Sequence, residues 1–174
     1  SFGHKAKQLF DQTRNVHIIA CGTSYHAGLV AKYWLEEVGI LCSVEVASEY
    51  RYRKVVVPPG TLFLTISQSG ETADTLAALR ASSSAGYLGS LTVCNVPESS
   101  LVRESNVALM TRAGPEIGVA STKAFTTQLV ALRLVTLALA RRNGQTAGEQ
   151  RRLVDELHAL PRQMEVALQM SDNI

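Results

Sequence analysis

"LTISQSGETADTL", residues 64–76, begins as a strand and ends as a helix. The apolar run "TLFLTIS" at 61–67 reads as a strand buried on both faces. Leu76 and Leu79 then recur at helical spacing, predicting a helix over 70–85 closed at Gly86. Between the two lie Ser67, Gln68, Ser69, Thr72 and the backbone amides around Gly70. A buried strand feeding a helix through a hydroxyl-rich turn is the building unit of a parallel α/β sheet.

The same unit recurs on both sides. "VHIIACGTS" at 16–24 reads as a buried strand and turn. "SYHAGLVAKYWLEEVG" follows as a helix with Ala27, Val30, Ala31, Trp34 and Val38 on one face, stopped at Gly39. "CSVEVAS" at 42–48 predicts another strand and "SEYRYRKV" a short helical turn; Pro58-Pro59-Gly60 breaks the chain. A fourth strand lies within "LGSLTVCNV" at 88–96 and a fifth is "VALMT" at 107–111. The loop "RAGPEIGVAS" leads to a long helix from about 122 to 142, ended by Asn143-Gly144. Residues 147–170 form a last helical stretch, interrupted or restarted at Pro161. Such alternation predicts an α/β three-layer αβα sandwich with a doubly wound, five-stranded parallel sheet. Residues 1–14 read as a lead-in, with His4 in a loose end. The stripe Leu153, Leu157, Leu160 and Met164 has two readings: packing on its own domain, or an interface with a domain or subunit beyond this sequence.

Composition narrows the class. The chain has 174 residues, 46% hydrophobic and 18% charged, with net charge +2. That suits a folded, soluble domain and argues against disorder. The run "LVALRLVTLALA" at 129–140 is shorter than the roughly 20 residues of a membrane span and contains Arg133, so no membrane partner is expected. The N-terminus has no signal-peptide core, and a first residue other than Met suggests a piece of a longer chain. Basic residues are scattered apart from Arg141–Arg142 and Arg151–Arg152, so no nucleic-acid partner is expected. Cys21, Cys42 and Cys94 form no CxxC; no metal site, disulfide or cofactor is expected, and a reducing cytoplasm fits.

In an open parallel sheet, ligands sit at the carboxyl ends of the strands. Three loops at those ends, "CGTSYHAG", "SQSGET" and "GPEIGVAST", are rich in Ser, Thr and Gly, and each runs into a helix N-terminus. Unpaired N–H groups, the positive end of the helix dipole and neutral hydroxyls together form an anion cradle. Taken alone, Ser69 reads equally as the N-cap of the 70–85 helix. Glu71 runs against an anion in the first turn, so it must point away or bind its own partner. GxxxxGK[ST], GxGxxG and GxSxG are absent, which removes P-loop, dinucleotide and α/β-hydrolase readings. Cys21 is either a nucleophile or a small residue whose backbone lines the site. His26 is either a base or a surface histidine, and Glu116 a structural or ligand-hydroxyl contact.

"ACGTSYHAG", "SEYRYR", "SQSGETADTL", "CNVPESSLVRES" and "EIGVASTKAFTTQL" together resemble the first sugar isomerase (SIS) domain of the glucosamine-6-phosphate synthase family, from about residue 15 to the last helix. The resemblance implies a flavodoxin-like five-stranded sheet. It also implies a site for fructose 6-phosphate or glucosamine 6-phosphate. On it, Ser67, Gln68, Ser69 and Thr72 hold the phosphate with Ser24 assisting, while Cys21, Gly22, Thr23, Val119 and Ser121 line the sugar. Members of that family also carry a glutaminase domain, a second SIS domain and a homodimer partner. Their acid–base residues lie in those later regions, so no catalytic residue is expected in this chain, and Lys123 is not assigned as a Schiff-base lysine. Residues 147–174 would then lead toward the second SIS domain. The expected function is the sugar-phosphate-binding part of a glutamine-dependent transferase; the alternative is a non-catalytic phosphosugar-sensing SIS module.

Overall fold

The computed structural model describes residues 3–118, 121–141 and 144–170. Five strands, β1 (Asn15–Ala20), β2 (Leu41–Val46), β3 (Thr61–Ser67), β4 (Gly89–Cys94) and β5 (Val107–Met110), form one sheet in the order β2-β1-β3-β4-β5. All four pairings are parallel, with Ile18 opposite Val44 on one side and Leu64 on the other. Among the described residues seven helices accompany them: α1 (Gly3–Gln12), α2 (Gly22–Glu37), α3 (Ala47–Tyr50), α4 (Ala73–Ser82), α5 (Ser100–Glu104), α6 (Lys123–Ala140) and α7 (Ala147–Gln169).

The sheet divides the interior in two because successive strand residues face opposite sides. Val16, Ile18 and Ala20 of β1 join Leu62, Leu64 and Ile66 of β3 on one face, under Phe10 of α1, Leu35 of α2 and Leu132 of α6. Ile19 and Phe63 face the other way, against Tyr50 of α3, Leu79 of α4 and Leu101 of α5. Both faces are thus covered, which is why β3 is buried at every position. Burying each such large apolar side chain stabilises the fold by about 1.5–3 kcal/mol. Gly28 lets α2 lie close to the sheet: a Cβ there would meet Ile18 Cγ2 at 2.9 Å and Val44 Cγ1 at 3.1 Å.

Several boundaries differ from the sequence reading, each for a physical reason. Residues 1–14 were expected as a lead-in, yet α1 forms there because Ala6 and Phe10 have core to cover. Helix α2 starts at Gly22, ahead of the expected start, and its inner face is Ala27, Gly28, Ala31 and Leu35. Val30, Trp34 and Val38 sit at the margin of that face, half-buried. Helix α4 begins at Ala73 rather than residue 70, so Thr72, not Ser69, holds its N-cap position. The break expected at Pro161 does not occur: α7 is continuous, with an exposed proline inside it and a capping box between Thr146 and Glu149 at its start. No residue of α7 is buried, and Leu160 and Met164 are 39% and 54% exposed. Leu153 and Leu157 are half-buried, so among the described residues the stripe packs on its own domain at its start and is exposed further along. Helix α6 is long and apolar enough to cross a membrane, but half of it is buried within the fold. Leu132, Val135 and Leu139 belong to the core, so its apolarity is that of a central helix.

Candidate functional site

The strand order places a topological switch between β1 and β3: the chain moves outward from β1 to β2, then returns to β3 and continues to the opposite edge. In such sheets a crevice opens at the carboxyl ends of the two strands flanking the switch. The loops that emerge there are Cys21–Ser24 and Ser67–Thr72, two of the three singled out from sequence.

In the first loop Cys21 is extended (φ −126°, ψ 157°) and occupies the N-cap position of α2 without a side-chain cap. The first helical bond runs from Tyr25 N–H to the Cys21 carbonyl at 3.3 Å, so the amides of Gly22, Thr23 and Ser24 precede the helical ladder. Ser24 is buried, and its hydroxyl accepts a hydrogen bond from Gln128 Nε2 of α6 at 3.0 Å. His26, one turn on, is exposed and stands edge-on to Tyr25. Cys21 is half-exposed and within 3.9 Å of the Thr75 hydroxyl, and among the described residues no base is bonded to it.

The second loop is held by its own hydroxyls. Gly70 N–H donates to Ser67 Oγ at 3.0 Å, Glu71 N–H donates to Ser69 Oγ at 3.2 Å, and the Ser67 and Thr72 hydroxyls lie 3.3 Å apart. Gly70 has φ +69°, and a Cβ there would collide with Ser99 Oγ at 2.0 Å. Only glycine lets the turn pass under the Ser99 segment. The first bond of α4 runs from Leu76 N–H to the Thr72 carbonyl at 3.0 Å, leaving the amides of residues 73–75 at the crevice. Both acids beside this loop have partners. Glu71 accepts from Ser100 N–H at 2.7 Å, which with further hydrogen bonding there holds its carboxyl below the usual carboxylate range. Asp74 pairs with Arg51 Nη1 at 3.1 Å.

The third loop reaches the same edge from β5. Asn95, at the end of β4, anchors it: Nδ2 donates to the Gly114 carbonyl at 2.8 Å, while Oδ1 accepts from Thr111 Oγ1 and Ala113 N–H. Glu116 accepts from Thr122 Oγ1 at 3.1 Å and Ala124 N–H at 2.8 Å. It caps α6, and those bonds lower its pKa. Ser121 is half-buried just ahead of α6 and Lys123 is exposed; Val119 lies outside the described residues.

The structure therefore groups Cys21, Gly22, Thr23 and Ser24 with Ser67, Gln68, Ser69 and Thr72 on the two loops flanking the switch. Ser121 lies on the third loop of that edge. Three contributors escaped the sequence reading. Asn95 was visible as a polar residue closing an apolar strand. Gln128 was visible as an amide on the apolar face of α6. Arg51 gave no signal of its own, because its partner Asp74 lies 23 residues further along the chain, in α4. All three cysteines are free thiols, with Cys42 pushed up to about 12 by burial. Among the described residues no cluster of His, Cys, Asp and Glu is arranged to hold a metal.

A parallel sheet in the order 2-1-3-4-5, covered by helices on both faces, defines a doubly wound α/β domain of the flavodoxin-like class. Residues 9–138 match the SIS domain model, and the chain belongs to the SIS domain family. The whole chain aligns with glutamine–fructose-6-phosphate aminotransferases (isomerizing), at 64% identity for that of Pseudomonas putida and 62% for that of Pseudomonas aeruginosa. It spans 29% of the length of these curated relatives. The solved C-terminal domain of glucosamine-fructose-6-phosphate aminotransferase from Francisella tularensis superposes with a TM-score of 0.95 at 54% identity, covering 99% of this chain and 49% of that one.

Proposed function

We propose that this chain is the sugar-phosphate-binding SIS domain of a glutamine–fructose-6-phosphate aminotransferase, which makes glucosamine 6-phosphate from fructose 6-phosphate and glutamine. The observation that carries this reading is the pairing of two hydroxyl-rich helix starts at the sheet's switch point, in a chain 64% identical to part of such an enzyme. That identity also sets it above the sensing-module alternative.

The phosphate dianion would sit between the N-terminal ends of α2 and α4. There the amides and the hydroxyls of Ser67, Ser69 and Thr72 supply donors without needing Lys or Arg. Gln68 and Ser24 complete the phosphate set. Cys21, Gly22, Thr23, Val119 and Ser121 contact the sugar, mostly through backbone and short side chains. Pairing of Glu71 and Asp74 elsewhere keeps two negative charges from facing the anion directly.

Residues 1–174 act as one domain on this reading, and the exposed part of the α7 stripe leads toward a second SIS domain. That domain, a glutaminase domain and a homodimer partner would complete the enzyme in the cytoplasm. His26 is exposed, while Glu71 and Glu116 are engaged as caps. None has the tuned partner that proton transfer between C1 and C2 requires. The chain alone should therefore bind hexose 6-phosphates and convert none. NMR titration with fructose 6-phosphate, glucosamine 6-phosphate and unphosphorylated fructose tests this. Shifts at residues 21–24 and 67–72 with the phosphates alone are expected; equal response to fructose would overturn the phosphate site.

A further inference from the structure

We propose that Gln128 is a positioning residue for the phosphate site: its side-chain amide holds the Ser24 hydroxyl so that the Ser24 proton is directed into the crevice. The proposal rests on the sugar-phosphate reading above.

Gln128 is 1% exposed and sits on α6 beside Ala124, Ala131 and Leu132, all buried. A buried amide is costly unless it is hydrogen-bonded. Among the described residues this one makes a single bond, from Nε2 to Ser24 Oγ, and its Oε1 has no partner. An apolar side chain of similar volume would fill the same space without an orphaned carbonyl. The packing of α6 on α2 therefore does not by itself account for glutamine at this position.

The bond to Ser24 does account for it. A serine hydroxyl has one proton and two lone pairs. With a lone pair occupied by the Gln128 N–H, the proton remains free, and among the described residues no protein acceptor takes it. Ser24 lies in the first turn of α2, beside the open amides of Gly22 and Thr23. A proton leaving this hydroxyl away from α6 is available to an anion at the helix mouth. Had the amide the opposite orientation, Oε1 would accept that proton and the hydroxyl would face the anion with lone pairs. The amide orientation thus decides whether Ser24 attracts or repels an anion.

The test compares Gln128→Met, Gln128→Glu, Ser24→Ala and the double variant Ser24→Ala/Gln128→Met in the full chain. Fructose 6-phosphate affinity is read by calorimetry and Tm by thermal melting. Gln128→Met should weaken binding about 3- to 10-fold, the range of one hydrogen bond, while leaving Tm unchanged or higher because the orphaned acceptor is gone. A packing role alone would not separate the two readouts in this way. Gln128→Glu, which when ionised only accepts, should weaken binding further. Once Ser24 is alanine, Gln128→Met should have no additional effect on affinity.

Wild-type affinity in Gln128→Met, or independent effects of the two substitutions, would overturn the proposal. Should the variants fail to fold, the side-chain amide resonance of Gln128 in the wild type decides. It should shift on adding fructose 6-phosphate, and an unmoved resonance in a protein that binds the ligand overturns the proposal. A wild type that binds no hexose 6-phosphate at all overturns the underlying site, and this inference with it.

Discussion

The Glu71 carboxylate accepts a hydrogen bond from the backbone N–H of Ser100 at 2.7 Å, tying the loop after β3 to the start of α5. A negative side chain next to a proposed anion site is thereby turned into a brace for it. Its pKa is held below the ordinary 4.5, chiefly by hydrogen bonding at Ser100. A depressed carboxylate stabilises the fold above its unfolded pKa and loses that contribution as pH falls through the folded value. Glu71→Ala should therefore lower Tm at neutral pH and differ less from wild type in strong acid. Glu71→Gln, which keeps an acceptor, should fall between the two. Thermal melts across the acid range check this; a constant Tm gap at all pH values would remove the brace.

Ser69→Ala and Thr72→Ala should each weaken hexose 6-phosphate binding by about 1.5–3 kcal/mol, the worth of a hydrogen bond to a charged group. The accompanying stability losses should be small. Ser69 does not cap α4, and its one bond, to Glu71 N–H, is exposed. Calorimetry beside melts separates the two effects. Unchanged affinity in both variants would remove the phosphate assignment.

The sheet was legible because β1 and β3 are mostly apolar and run into glycine-bearing turns. The edge proposed to take the ligand can be read from the hydroxyls that crowd three such turns. The true N-cap was not: "SQSGET" offers three candidates, and the choice of Thr72 depends on Gly70 passing beneath Ser99, a contact between residues 29 apart in the chain. Helix α1 was missed for a related reason. Its few apolar residues form a helix because the far end of the sheet supplies a surface for Phe10, which a local pattern cannot show. The partners of Glu71, Asp74 and Ser24 are likewise distant in sequence. Residue types pointed to a candidate site; the three-dimensional fold decided which of its neighbouring charges are paired.

Gly70→Ala should destabilise the domain by about 2–5 kcal/mol, combining left-handed backbone strain with overpacking. The new Cβ would approach Ser99 Oγ at 2.0 Å, Ser99 Cβ at 2.5 Å and Cys94 Sγ at 2.8 Å. Ser99 and Cys94 are both buried and leave little room to yield. Urea unfolding gives the loss directly. The Gly70→Ala/Ser99→Gly pair should recover part of it, and a near-neutral single variant would show that the segment moves aside freely.

Asn95→Ala should loosen the third loop before it unfolds the domain. One side chain bonds Thr111, Ala113 and Gly114; its loss leaves these groups without their partner, at about 1–3 kcal/mol. Hydrogen exchange should rise at residues 111–114 while β1 and β3 keep their protection. Uniform loss of protection across the sheet would instead mark Asn95 as a core determinant.

His17 is the buried group whose titration should be felt near neutral pH. Tyr50 donates to the Tyr87 hydroxyl at 3.2 Å, and Tyr87 lies 2.8 Å from His17 Nδ1. With Tyr87 donating there, Nε2–H is left to donate to Glu45 Oε1 at 3.0 Å. Arg53 holds the same carboxylate from the other side, and Phe63 packs edge-on to the ring. Burial lowers the His17 pKa below the ordinary 6.5, outweighing the opposing pull of Glu45, while Arg53 adds to the lowering. With the folded pKa below the unfolded one, the neutral ring's contribution is complete above 6.5 and declines as pH falls toward the folded value. The slope from a single proton cannot exceed about 1.4 kcal/mol per pH unit. The capping carboxylates Glu71, Glu116 and Glu149 all titrate below 4.5, so the two windows separate. Urea unfolding in steps from about pH 8 to pH 5 should show a decline that His17→Gln flattens. Stability that rises on acidification through this range would mean that Glu45 governs the ring and that His17 is charged in the folded protein.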